Sequence, residues 1–94
     1  MRIVLFCPRS NHIKILGPIS AEARRRGHDV SFMVAPADPK GAGALGHVER
    51  ELGGPIISQM AFQTHRFDWA VAVGLRTAPE LRQRTRPRVR WASL

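Results

Sequence analysis

Arg2-Ile3-Val4-Leu5-Phe6-Cys7 opens the chain, closed off by Pro8 and a polar turn, Arg9-Ser10-Asn11-His12. A short, continuous apolar run of this kind is the pattern of a strand buried on both faces. After the turn, Ile15, Leu16, Ile19 and Ala23 recur at helical spacing, which predicts a helix reaching about Arg26. Gly27 is a natural stop for that helix, and Arg24, Arg25 and Arg26 suit the negative end of its dipole. Pro18 falls inside the stretch; it either kinks the helix or marks its first turn, with residues 12 to 17 as a loop. A second strand is predicted from Asp29 to Ala35, where Val30, Phe32 and Val34 alternate.

The same alternation continues outward. Asp38-Pro39 reads as an N-cap followed by proline at the first helical position, and Leu45, Val48 and Leu52 form a helical stripe ending at Gly53-Gly54. Pro55 to Met60 is a third, short strand, and Ala61 to Phe67 carries no decisive pattern. Asp68 to Val73 is another buried-strand run ended by Gly74. Thr77-Ala78-Pro79-Glu80 is a capping box that starts a helix running to about Arg84. Pro87 to Ala92 is the last strand, with Arg88 and Arg90 on one face and Val89 and Trp91 on the other, the form of a charged edge strand. Strands alternating with helical segments predict an α/β fold: a Rossmann-like three-layer α/β/α unit with a parallel sheet of four to five strands, in a single domain spanning 1–94. Ligands of such sheets sit at the carboxyl ends of the strands, which directs attention to residues 8–12, 35–39, 60–66 and 74–77.

Composition bounds the function. Ninety-four residues make one small domain, and 44% hydrophobic with 23% charged residues is ordinary for a globular chain. The charge is not ordinary: 15 basic residues against 7 acidic give +8, and all the basic residues except Lys14 and Lys40 are arginine. Such a field attracts phosphates, nucleic acid or anionic membranes. The arginines are scattered, apart from Arg24 to Arg26 and the tail from Arg76 to Arg90, and no specific nucleic-acid partner is expected. The single cysteine, Cys7, excludes an intrachain disulfide framework and a multi-cysteine zinc site. The opening apolar run is too short for a secretory signal or a membrane span, so a cytoplasmic protein without a transmembrane segment is expected.

The first turn carries the most chemistry. The start of a helix presents unsatisfied N–H groups and positive dipole charge, Ser10 and Asn11 are capable caps, and His12 can face a bound hydroxyl. An imidazole titrating near neutrality is suited to taking a proton from an alcohol, but on the residues alone a plain surface histidine at a helix start is the commoner case. Gly74-Leu75-Arg76-Thr77 is a second strand-to-helix turn, able to hold a phosphate or carboxylate through Gly74, Arg76 and Thr77 or to serve as a structural cap. Gly41-Ala42-Gly43-Ala44-Leu45-Gly46 matches the dinucleotide fingerprint literally, but it follows the second strand at a distance, and no acidic residue ends the next strand; a loose helix start is the better reading. His47 and His65 have no partner at metal-ligand spacing. No metal and no cofactor is expected.

The stretch from Ile3 to Ala35 resembles the opening of GT-B glycosyltransferases of the UDP-glycosyltransferase type. The resemblance rests on Pro8, His12, Arg26-Gly27-His28, Asp29-Val30 and Phe32, with the family's spacing between His12 and Gly27. CDP-glycerol glycerophosphotransferase-like proteins and UDP-GlcNAc 2-epimerases have similar openings. The family usually places glycine before the turn histidine and proline three residues after it; here Asn11 and Ile15 stand there, with the proline displaced to Pro18. Asp68 to Leu94 is similar more loosely. The resemblance implies that His12 deprotonates an acceptor hydroxyl; His28, in a stretch that many Rossmann units carry for packing, is read as structural. It also implies that the nucleotide-sugar donor is held mainly by a C-terminal domain beyond these residues. The chain is therefore expected to be the acceptor-side part of a glycosyltransferase-like protein, a fragment inactive alone, with a nucleotide-sugar donor and a hydroxyl acceptor as partners once a second domain completes it. Asp68, the nearest candidate to orient His12, opens its strand and is expected at the wrong end of the sheet. Two other readings stay open: a non-catalytic flavodoxin-like binding or interaction module, and an arginine-rich nucleic-acid-binding protein. An incomplete sheet is expected to leave apolar surface open, through which the chain could form a homo-oligomer.

Overall fold

β1 (Arg2–Phe6) lies in the middle of a five-stranded sheet in the computed structural model, which describes residues 1–7, 10–33, 46, 48–53, 55–73, 79–85 and 88–94. On one side β1 pairs with β2 (Asp29–Met33), Arg2 opposite Asp29 and Phe6 opposite Met33. On the other it pairs with β4 (Trp69–Ala72), Ile3 opposite Trp69. β3 (Ile56–Ile57) and β5 (Arg90–Ser93) complete the order β3-β2-β1-β4-β5, and every neighbouring pair is parallel.

Successive side chains of a strand point to opposite faces, and the apolar run of β1 therefore feeds two cores. Leu5, Cys7, Val30 and Phe32 pack on one face against Ile13 and Leu16 of α1 (Ser10–Arg25) and against Val48 of a π-helical turn (Val48–Leu52). Val4, Met33 and Ala70 pack on the other face against Phe62 of α2 (Gln59–Thr64), Phe67, and Leu81 of α3 (Pro79–Thr85). The chain travels outward from β1 through β2 to β3 with α1 and the π turn on one face. It then crosses to β4 and continues to β5 with α2 and α3 on the opposite face. Crossovers of one hand, run in opposite directions along a sheet, put their helices on opposite faces. The result is the doubly wound, Rossmann-like α/β/α arrangement that the sequence predicts.

The end of α1 shows how the sequence enforces this path. Gly27 has φ +87°; its N–H donates to the Arg24 carbonyl (2.9 Å), and the N–H of His28 donates to that of Ala23 (3.0 Å). This is a Schellman termination, which needs a left-handed residue at the position of Gly27. Arg24 reaches across to the Leu52 carbonyl (2.8 Å), tying the helix end to the π turn. Arg25 and Arg26 fork onto Glu22, at 2.7 and 2.9 Å; these hydrogen bonds, that to Arg25 first, hold the Glu22 carboxyl below its usual range.

The structure departs from the sequence pattern at several points. The helix runs through Pro18, so residues 12 to 17 are not a loop, and the proline sits on the exposed side where its missing N–H costs least. Ile15 is exposed (47%), and Ile13 takes the inward position beside Leu16. The third strand stops at Ile57 because Ser58 caps α2: its hydroxyl accepts the Ala61 N–H at 3.0 Å. Met60 is therefore helical, and 74% exposed, rather than the end of a strand. The last strand is shifted to Arg90–Ser93 at the edge of the sheet, with Val89 buried and Arg88 and Arg90 exposed, as the alternation requires. The second predicted helix is described only from its end, where Val48 is buried, Leu52 packs on the core and Gly53 has φ +72°. Asp38, Pro39, Leu45 and the start of the fourth-strand capping box at Thr77 lie outside the described residues.

Candidate functional site

In a sheet of this kind the crevice for ligands opens where the strand order reverses, between the carboxyl ends of the two strands whose connections leave in opposite directions. Here those strands are β1 and β4. The floor of the crevice is fixed by the N–H of Cys7 donating to the Met33 carbonyl at 2.8 Å, and α1 begins three residues later at Ser10. Ser10, Asn11 and His12 thus occupy the first turn of the helix that leaves the central strand. Backbone N–H groups of a first turn have no partner within the helix, and the helix dipole makes the position electropositive. The ring of His12 is half-buried, and its Nδ1 is shut off from solvent. Gly74, Arg76 and Thr77, in the connection that follows β4, lie outside the described residues.

Cys7 lies next to this turn and is fully buried. Burial pushes its thiol up to about 12, so at neutral pH it is a protonated packing group rather than a nucleophile.

The remaining residues singled out by the sequence fall elsewhere. Asp68 precedes β4 at the amino edge of the sheet; its carboxylate accepts the N–H of Arg2 at 2.8 Å, so it caps the start of β1 and is placed at the opposite edge from His12. His28 is also at the amino edge, where its Nδ1 accepts from the Met1 ammonium at 3.1 Å. The His65 ring turns back on its own helix, Nδ1 lying 3.0 Å from the Ala61 carbonyl. His47 and Gly41 to Leu45 are outside the described residues. Among the described residues, no three His, Cys, Asp or Glu side chains gather closely enough to hold a metal ion, and no helix is long and apolar enough to cross a membrane.

Arg66 falls in the stretch 60–66 expected at a carboxyl strand end, an expectation overturned because β3 stops at Ile57 and a helix follows, and Trp69 reads in the sequence only as part of a strand. Yet at the amino edge they line, with Phe67, Asp68, Arg88 and Arg90, a concavity of about 330 Å³. The signal that brings these residues together is the pairing of β4 with β5, which sets Trp69 directly opposite Arg90.

Fold and site together define the class: a parallel, doubly wound Rossmann-like module whose central strand delivers a histidine-bearing helix start to the reversal point of the sheet. No family model matches the chain, no curated protein matches it, and no solved structure does.

Proposed function

We propose that this chain is the acceptor-side Rossmann-like domain of a glycosyltransferase-like protein, with His12 as the base that activates a hydroxyl acceptor. The observation that carries this reading is the position of His12 in the first turn of α1, at the carboxyl end of the central strand and beside the reversal between β1 and β4. As the acceptor oxygen attacks the anomeric carbon and the bond to the nucleotide leaving group breaks, the hydroxyl proton passes to the imidazole. Ser10 and Asn11, on the same turn, and Gly74, Arg76 and Thr77, in the connection after β4, are the residues assigned to the bound acceptor and the leaving group. A second domain supplies the rest of the donor site.

Calorimetric titration of the chain with a panel of sugar and phenolic alcohols tests the reading. At least one alcohol should bind, and His12→Ala should weaken that binding by about tenfold, the equivalent of one hydrogen bond from the alcohol to the imidazole. Binding that His12→Ala leaves unchanged, or a panel that does not bind at all, would overturn the assignment.

A further inference from the structure

We infer that the concavity at the amino edge of the sheet is a second binding site, built for the phosphate monoester of a small organic molecule. It stands independently of the transfer reading, because it lies at the opposite end of the strands from His12. Two connections form it: the one from α2 to β4, carrying Arg66, Phe67 and Asp68, and the one from α3 to β5, carrying Arg88. Arg90 and Trp69, the first residues of β5 and β4, close it from below as a directly opposed pair.

The walls are held by backbone. Asp68 N–H donates to the Arg2 carbonyl (2.9 Å), Arg90 N–H donates to the Asp68 carbonyl (3.1 Å), and Val89 N–H donates to the Thr85 carbonyl (3.0 Å). Val89 is buried between the two arginines, so the strand alternation turns Arg88 and Arg90 out together. The Arg90 guanidinium lies over the Trp69 ring, 5.8 Å from its centroid. Three guanidiniums thus share one concavity with a single carboxylate, and that carboxylate is engaged by the Arg2 N–H. The ion pairs among the described residues join Arg2 to Asp29 and Arg25 and Arg26 to Glu22; Arg66, Arg88 and Arg90 take part in none of them. Three guanidiniums against one carboxylate leave the hollow with an excess of positive charge, and a dianion seated among them offsets it. Guanidinium forks match the oxygens of phosphate, and the half-buried ring of Trp69 beside them takes the organic part of the ligand. The volume is at the small end of the range for small-molecule pockets, roughly 300–1,000 Å³. The charges converge on one hollow rather than following a groove, which favours a compact phosphomonoester over a nucleic-acid backbone.

The test is an NMR titration of the full chain at low salt with phenyl phosphate, inorganic phosphate and an oligothymidylate. Phenyl phosphate should saturate, shift the amides of residues 66–69 and 88–90 with the Trp69 indole N–H, and bind more tightly than inorganic phosphate. Arg66→Gln and Arg88→Gln, exposed residues on separate segments, should each weaken it by about tenfold, whereas Arg84→Gln, an exposed arginine outside the hollow, should not. Three results would each overturn the proposal: no saturable binding, an equal loss in Arg84→Gln, or oligothymidylate binding more tightly than phenyl phosphate. Phosphate binding as tightly as phenyl phosphate would overturn the organic class of ligand.

Discussion

Replacing Cys7 by alanine isolates one titration in the stability of this domain. The thiol is fully buried in the core under α1, and burial raises it to about 12, against about 9 for an exposed thiol. Below the unfolded value the thiol is neutral in both states and burial costs nothing in charge. As pH rises past that value the unfolded chain releases the proton while the native chain keeps it, so stability falls by roughly 1.4 kcal/mol per pH unit until the folded value is reached. Over the whole interval the loss is about 4 kcal/mol, a large part of the roughly 5–14 kcal/mol expected for a chain of this length. The background is low: the chain has no tyrosine, and lysine occurs only at positions 14 and 40. Urea unfolding of the wild type and Cys7→Ala at a series of pH values from neutral to strongly alkaline measures the effect. The alanine variant loses packing at all pH values, but the gap between the two proteins should narrow and then reverse as pH rises. A gap constant across the alkaline range would refute the burial argument.

Other substitutions test individual parts of the fold. Gly27→Ala should destabilise by about 1 kcal/mol in thermal or urea unfolding through backbone strain alone, because φ is +87° and a β-carbon there meets nothing within 4 Å. Thr85→Val should cost about 1–3 kcal/mol, since Thr85 is buried and its hydroxyl accepts the Trp91 indole N–H at 2.9 Å; near-ultraviolet circular dichroism should report the change at the indole. Phe62→Ala should cost about 3–5 kcal/mol, because the ring is fully buried and packs edge-on to Trp91, whereas Met60→Ala on the exposed side of the same helix should stay within about 0.5 kcal/mol.

The parts of the fold visible in the sequence are those where local and tertiary forces agree. β1, β2 and β4 lie inside the sheet, and strands covered on both faces leave apolar runs that helices of this length do not. Gly27 and Gly53 mark element ends because left-handed backbone is cheapest at glycine. α2 is less visible: among its described side chains only Phe62 is fully buried, a single inward side chain gives no period, and the start is set by one hydroxyl on Ser58. The sequence pattern puts Ile15 on the inward face, but Ile13 is equally apolar, and only the docking angle of α1 decides that Ile13 faces Leu5 and Phe32. At the functional level, the place of His12 follows from the strand–turn–helix rule and could be read directly. The amino-edge hollow could not, because Arg66 and Arg90 are far apart in sequence and meet only through the register of β4 on β5.

The edge of the sheet that receives the hydroxyl ligand decides between the two sites. An amide and side-chain NMR map of the chain, titrated with the alcohol that binds best in calorimetry, measures this directly. Shifts centred on residues 10–16, the His12 ring and Val73 are the predicted result; shifts confined to the amino edge, around residues 66–69 and 88–90, would contradict it.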